Sequence, residues 1–176
     1  GLMILAQEVL RYFGLYATPS KIITYWLLRL LHITSVVKNV QGSLMLLNLK
    51  DRGIHTALFM CGIREVEATK HLQSIMQPEW TMVEIGANIG YYALMEAQVV
   101  KSVIAIEPDP DNYKGLMTNI ALNGYRNIET HQLAIGDHKG IVGFEISKAC
   151  NWNKIARPNV TGDIQVQMTM LDDFLR

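Results

Sequence analysis

The sequence predicts an α/β chain whose centre is a parallel sheet with helices on both faces. Three observations predict it. From residue 81 onward, apolar runs of strand length alternate with runs of helical spacing (TMVEIG, IGYYALMEAQVV, SVIAIE, PDNYKGLMTNIALNG, NIETHQLAIG), the order expected of parallel strands covered by helices. Two glycines, Gly86 and Gly90, stand where the first of these strands gives way to a helix. The chain has 176 residues, the length of a single domain able to bury roughly two-thirds of its unfolded surface.

Each element has its own local signal. Residues 3–13 read as a helix stopped by Gly14, and Thr18-Pro19 starts a second, with a capping hydroxyl ahead of a proline at the first helical position. The most apolar stretch, Ile22 to Ile33, spans 12 residues and contains an arginine and a histidine. It falls short of the ~20 residues needed to cross a bilayer. Such an all-round apolar helix is expected to be packed against its own domain, with a membrane-surface helix as the alternative. VVKNV, QGS and LMLLNL then read as two strands around a tight glycine-containing turn. Ile54 to Met60 is a short apolar run broken by Gly62. Glu65 to Met76 has helical spacing with Val66, Leu72, Ile75 and Met76 on one face, and Pro78 ends it. Asp137-His138-Lys139-Gly140 is a turn, and IVGFEI and IQVQMTM flank an Asn-rich loop as an antiparallel excursion. Residues 1–77 are thus a lead-in of helices and a β-hairpin, and residues 78–176 the α/β domain proper.

Composition narrows the function. Sixteen Lys and Arg cancel sixteen Asp and Glu, so no net positive charge favours nucleic acid, which is not an expected partner. Cys61 and Cys150 lie far apart and outside any C-x-x-C pair, which points away from a disulfide framework or a zinc site and toward a reducing, cytoplasmic setting. The first residues, GLMILAQEVLRYFG, carry charges within the apolar run and lack a small-residue cleavage site, so no secretory signal is expected. No metal ligand set stands out.

The chemistry is concentrated in residues 84–107. In Glu84-Ile85-Gly86-Ala87-Asn88-Ile89-Gly90, Gly86 permits a sharp turn at the strand end and Gly90 permits close approach of a ligand to the helix start. Asn88 is one of the few non-glycine residues tolerant of a left-handed backbone. Glu107 ends the next strand, 21 positions after Gly86. In an open parallel sheet both should face the crevice beyond the strand ends, where a carboxylate can accept hydrogen bonds from both ribose hydroxyls of a nucleoside. A glycine pair alone is more simply a structural turn, and Glu107 alone a helix-start carboxylate. Together, in strand–helix–strand context, they favour a nucleoside site. The spacing is not the G-x-G-x-x-G of a dinucleotide site.

The arrangement E-x-G-x-N-x-G resembles the first motif of class I S-adenosylmethionine methyltransferases. VEIGANIGYY, AIEPDPDNYKGLMTNIALNG, LAIGDHKGIVGFEI and TMLDDFL in that order resemble the FkbM family of methyltransferases over about residues 55–176. The resemblance implies a Rossmann-like fold and S-adenosylmethionine as cofactor. It implies that Gly86, Ala87 and Gly90 lie against the methionine part, that Glu84, Asn88 and Tyr91 of the same block also belong to the cofactor site, that Glu107 holds the ribose flanked by Pro108 and Asp109, that Ala134, Ile135 and Gly136 lie near the adenine, and that Asn119 supports the loop. Relatives usually continue past the T-L-D-D-L segment into further strands, so the fold is expected to lack its C-terminal strands here, leaving the first strand with an open edge that a homodimer could cover.

The implied reaction is O-methylation of a hydroxyl on a small molecule or sugar, with the catalytic base unassigned. Asp172 and Asp173 are candidates by charge alone and more simply helix caps; His131 and His138 read as surface residues; Trp152 either lines an acceptor pocket or packs. The alternatives are a non-catalytic or truncated cofactor-binding module, an NAD-dependent oxidoreductase, which the missing dinucleotide motif counts against, and an RNA methyltransferase.

Overall fold

The computed structural model describes residues 18–51, 53–147, 153–157 and 161–176. The expected helix over residues 3–13, and Cys150 and Trp152, lie outside these residues. Helix α1 (Pro19–Leu30) starts at the proline as expected, but Thr18 makes no side-chain cap; its hydroxyl lies 3.0 Å from that of Ser20. Strands β1 (Ser35–Val40) and β2 (Ser43–Asn48) form an antiparallel hairpin with Val40 opposite Ser43. Its two-residue turn places Gln41 at φ 50° and Gly42 at φ 91°, the doubly left-handed geometry that matches the twist of paired strands.

Helix α2 (Ile54–Cys61) buries Ile54, Leu58, Phe59 and Met60 and ends on Gly62 in a left-handed conformation. Helix α3 (Val66–Ile75) buries Thr69, whose hydroxyl donates to Arg64 O, rather than the apolar set read from its spacing; Ile75 is exposed. Then comes the expected alternation: β3 (Thr81–Ile85), α4 (Tyr91–Ala97), β4 (Ser102–Ile106), α5 (Pro110–Asn123), β5 (Ile128–His131). The three strands form a parallel sheet in the order β3-β4-β5.

The stretch read as one strand after α5 is two. The chain leaves the parallel sheet after His131, and β6 (Ala134–Ile135) joins a second sheet, in the order β6-β9-β7-β8, with β7 (Gly140–Glu145), β8 (Lys154–Ile155) and β9 (Ile164–Thr169). The reason is burial: Ala134 packs with Phe144, Val166 and Met168 in a separate apolar cluster. The antiparallel excursion is as expected, β7 running antiparallel to β9. Helix α6 (Leu171–Phe174) closes the described chain, with Asp172 and Asp173 in its first turn and no side-chain cap.

The hairpin is fastened to the α/β part by a shared core in which Met45, Leu47 and Leu49 meet Leu58, Ile89, Tyr91 and Leu94. Asn119 of α5, fully buried, accepts from Leu46 N–H at 2.7 Å and donates to Ile89 O at 2.8 Å. One expectation holds for one face only: Tyr25, Ile22 and Leu28 of α1 pack into the core. The apolar helix is not buried all round: only Tyr25 of α1 is buried, while Ile23, Leu27, Leu30 and Leu31 are 52–74% exposed. Hydrophobicity records that a helix would gain from burial, not whether a partner covers each of its faces.

Candidate cofactor site

The strand–helix turn at Gly86 is closed from within. Gly86 and Ala87 N–H both donate to Ile106 O, at 2.8 and 2.9 Å, and Gly90 N–H donates to Ala87 O at 2.9 Å. Ile89 N–H donates to Asn88 Oδ1 at 2.9 Å, and Asn88 N–H to Glu107 Oε2 at 2.7 Å. Gly86, Asn88 and Gly90 all have positive φ, at 77°, 51° and 93°. Every loop N–H from 86 to 90 is therefore satisfied by the chain itself, so none is directed outward as the amide cradle of a pyrophosphate would require.

Glu107, 4% exposed, stands at the C-terminal end of β4 with its own N–H bonded to His131 O. Its second oxygen, Oε1, accepts from Asp109 N–H at 2.9 Å and from Asn112 Nδ2 at 3.5 Å. Burial pushes its carboxyl above the usual range, opposed by the bonds from Asp109, Asn88 and Asn112. The carboxylate is thus held in one orientation by donors on both oxygens; Oε1 already accepts two bonds, while Oε2, with one, retains a lone pair for a further donor. Asp109 caps α5 by accepting from Asp111 and Asn112 N–H, the charge-assisted cap that a proline-started helix favours. Its other oxygen, Oδ2, accepts from Asn153 Nδ2 at 2.8 Å, and Asn153 Oδ1 in turn accepts from Ser147 N–H at 2.7 Å.

Between these elements lies an open crevice of about 280 Å³. Of the residues expected from sequence, Gly86, Asn88, Glu107, Pro108, Ala134 and Ile135 line it. A side chain on Gly86 would meet nothing within 4 Å. Ile106, Leu133, Phe144 and Ile155 complete an apolar wall, and Asn112, Asn153 and Lys154 add polar groups. No sequence signal pointed to Phe144 or residues 153–155, which the second sheet and its flanking loop carry to the crevice. Asn112 was recoverable, being five positions beyond Glu107 on the first turn of α5.

The other expected residues stand behind this surface. Ala87 and Gly90 are buried, and a side chain on Gly90 would strike Leu94 Cδ1 at 2.5 Å and Leu116 Cδ1 at 2.8 Å, so the core demands its smallness. Tyr91 is buried with its hydroxyl 3.1 Å from Thr69 Oγ1. Gly136 packs on Met168 with its N–H on Thr169 O. Asn119 holds the loop from beneath through Ile89 O. Glu84 faces Glu96 and Glu65; burial and those two charges push its carboxyl up to about 8. Away from the crevice, His131 is half-buried, with its ring edge-on to Phe174, and His138 is exposed beside Asp137.

Among solved structures, TYW2 of M. jannaschii in complex with AdoMet is 26% identical, covering 55% of this chain and 42% of its own at a TM-score of 0.45. Trm5b of Pyrococcus abyssi is 20% identical, covering 55% and 27% at 0.45. Methyltransferase FkbM of Methylobacillus flagellatus KT is 20% identical, covering 56% and 23% at 0.40. The matched region therefore spans less than half the length of each of these proteins. No curated protein matches the chain. The methyltransferase FkbM domain model matches residues 84–176, a segment that begins at the glycine loop and includes Glu107, Asp109 and the whole second sheet. On that match, the chain belongs to the FkbM methyltransferase domain family.

Proposed function

We propose that the crevice binds S-adenosylmethionine and that the chain is the cofactor-binding part of a methyltransferase acting on a hydroxyl of a small molecule or sugar. The observation that carries this reading is Glu107, fixed by backbone N–H groups from Asn88 and Asp109 at the mouth of a parallel sheet. A carboxylate so held offers Oε2 directly to a ribose hydroxyl, and Oε1 to the vicinal one where it displaces the long 3.5 Å bond from Asn112. The apolar wall of Ile106, Leu133, Ala134 and Ile135 suits a purine face. The closed loop amides favour a cofactor without phosphate over a dinucleotide.

The cofactor would supply a methyl group already activated by its sulfonium. The chain's contribution is to bind and orient: Gly86 leaves room at the strand end, Glu107 sets the ribose, and the Asp109–Asn153 bond fixes the wall opposite. Positioning of this kind can remove many kcal/mol from the barrier of a bimolecular transfer.

Calorimetric titration with S-adenosylhomocysteine, with NAD as control, tests the reading. Binding of the first and not the second, weakened at least about tenfold (~1.4 kcal/mol) in Glu107→Ala, is expected. Absence of binding to a chain shown folded by circular dichroism, or preference for NAD, overturns it.

A further inference from the structure

The exposed side of α1 is a continuous apolar stripe. Ile23, Trp26, Leu27, Leu30 and Leu31 follow one another at helical spacing and are 43–74% exposed, while Ile22, Tyr25 and Leu28 on the opposite side pack into the core. Single exposed leucines need no explanation, but five adjoining large side chains on one helix do.

Along the sequence, the charge on either side of the stripe is of one sign. Between Glu8 and Asp51 the sequence contains Arg11, Lys21, Arg29, Lys38 and Lys50 and no acidic residue, although the whole chain is neutral. Two cationic side chains border a cleft at the end of α1: Arg29 and Lys50 line it with His32, Ile33, Thr34 and Leu49. The Arg29 guanidinium is steadied there, bonded to the Tyr25 hydroxyl at 3.1 Å and Leu49 O at 3.4 Å and lying 5.9 Å from the Trp26 ring. Lys38 takes no part, because its ammonium is turned inward onto the carbonyls of Leu58 and Phe59.

An apolar stripe with an interfacial tryptophan, bordered by cations and free of carboxylates in sequence, matches one environment in both halves: acyl chains beside anionic headgroups. A second copy of the same surface would set cation against cation. We propose that α1 and the Arg29–His32–Lys50 cleft dock the protein on an anionic membrane surface, with Leu27, Leu30, Leu31 and Trp26 immersed at the level of the headgroups and a lipid phosphate in the cleft. The helix lies on the bilayer and does not cross it: none of the described helices is long and apolar enough to span.

The test is co-sedimentation of the full chain with phosphatidylcholine vesicles containing or lacking phosphatidylserine, for the wild type, Leu27→Glu/Leu31→Glu and Lys50→Glu. The altered side chains are exposed, and circular dichroism and S-adenosylhomocysteine titration report fold and crevice independently, so a lost cofactor site and a lost lipid site are distinguishable. Sedimentation with phosphatidylserine vesicles is expected, at least tenfold weaker with pure phosphatidylcholine and in the double variant, and weakened by Lys50→Glu and by salt. The wild type failing to sediment overturns the proposal, as does binding the double variant leaves unchanged. It is equally overturned if the wild type elutes as a dimer that the double variant converts to monomer, which would make a second copy the occupant.

Discussion

At the residue scale, two carboxylates, Glu96 buried and Glu84 partly buried, lie close enough for the charge of one to act on the other. Glu96 is 1% exposed, its Oε2 has no hydrogen-bond partner, and burial raises its carboxyl from the ordinary 4.5 to about 7. Glu84 is raised to about 8. A carboxyl whose folded pKa exceeds its unfolded one favours folding fully below the unfolded value and loses that contribution as pH rises through the folded value. Thermal stability is therefore predicted to fall between pH 5 and pH 8, and Glu96→Gln to flatten the fall by an amount on the order of 1–3 kcal/mol. Melting curves across that window check it; an unchanged slope in the variant would remove Glu96 as the cause. The two loop glycines should separate in the same way. Gly90→Ala adds a carbon into Leu94 and Leu116 at φ 93° and should destabilise by about 2 kcal/mol or more, whereas Gly86→Ala, in open space at φ 77°, should cost about 1–2 kcal/mol from backbone strain alone. Gly86→Ala should instead act on ligand affinity, because Gly86 lines the crevice and its added methyl meets no protein atom within 4 Å. Denaturant unfolding and S-adenosylhomocysteine titration of both variants distinguish the two roles.

At the element scale, α5 is the part that joins sheet, glycine loop and hairpin. Its start is written locally, since Asp109 caps it and Pro110 opens it. Its attachment is not, since Asn119 reaches Leu46 across 73 residues of chain and Ile89 across 30. Replacing Asn119 by Ala leaves the part-buried Leu46 N–H and the buried Ile89 carbonyl without this partner, which costs about 2–4 kcal/mol. The same change at Asn123, whose bonds to Leu44 lie at the surface, should cost about 1 kcal/mol or less. Urea denaturation of the pair measures the difference; equal losses would mean that the hairpin is held by its apolar contacts alone.

At the scale of the whole molecule, β3 bonds only to β4 among the described residues, and Ile85 at its end is 47% exposed. An apolar strand with one open edge pairs readily with another chain. We predict concentration-dependent association through this edge, reduced by Ile85→Lys. Sizing with light scattering at rising concentration checks it, and a monomer at every concentration would count against edge pairing.

The sequence by itself determined whatever is set by neighbours along the chain. The Gln41-Gly42 turn, the Asp109-Pro110 helix start, the left-handed Asn88 and the β3–α4–β4–α5–β5 alternation all follow from backbone preference and hydrophobic period. So did the motif blocks that fall within the 84–176 family match. Only the tertiary structure decided that the strand after α5 divides between two sheets, that Asn153 ties its segment to Asp109 across 44 residues, and that one face of α1 is left bare. These depend on which distant surfaces meet once loops have closed, and a periodic pattern reports how much apolar surface a segment carries without naming what will cover it.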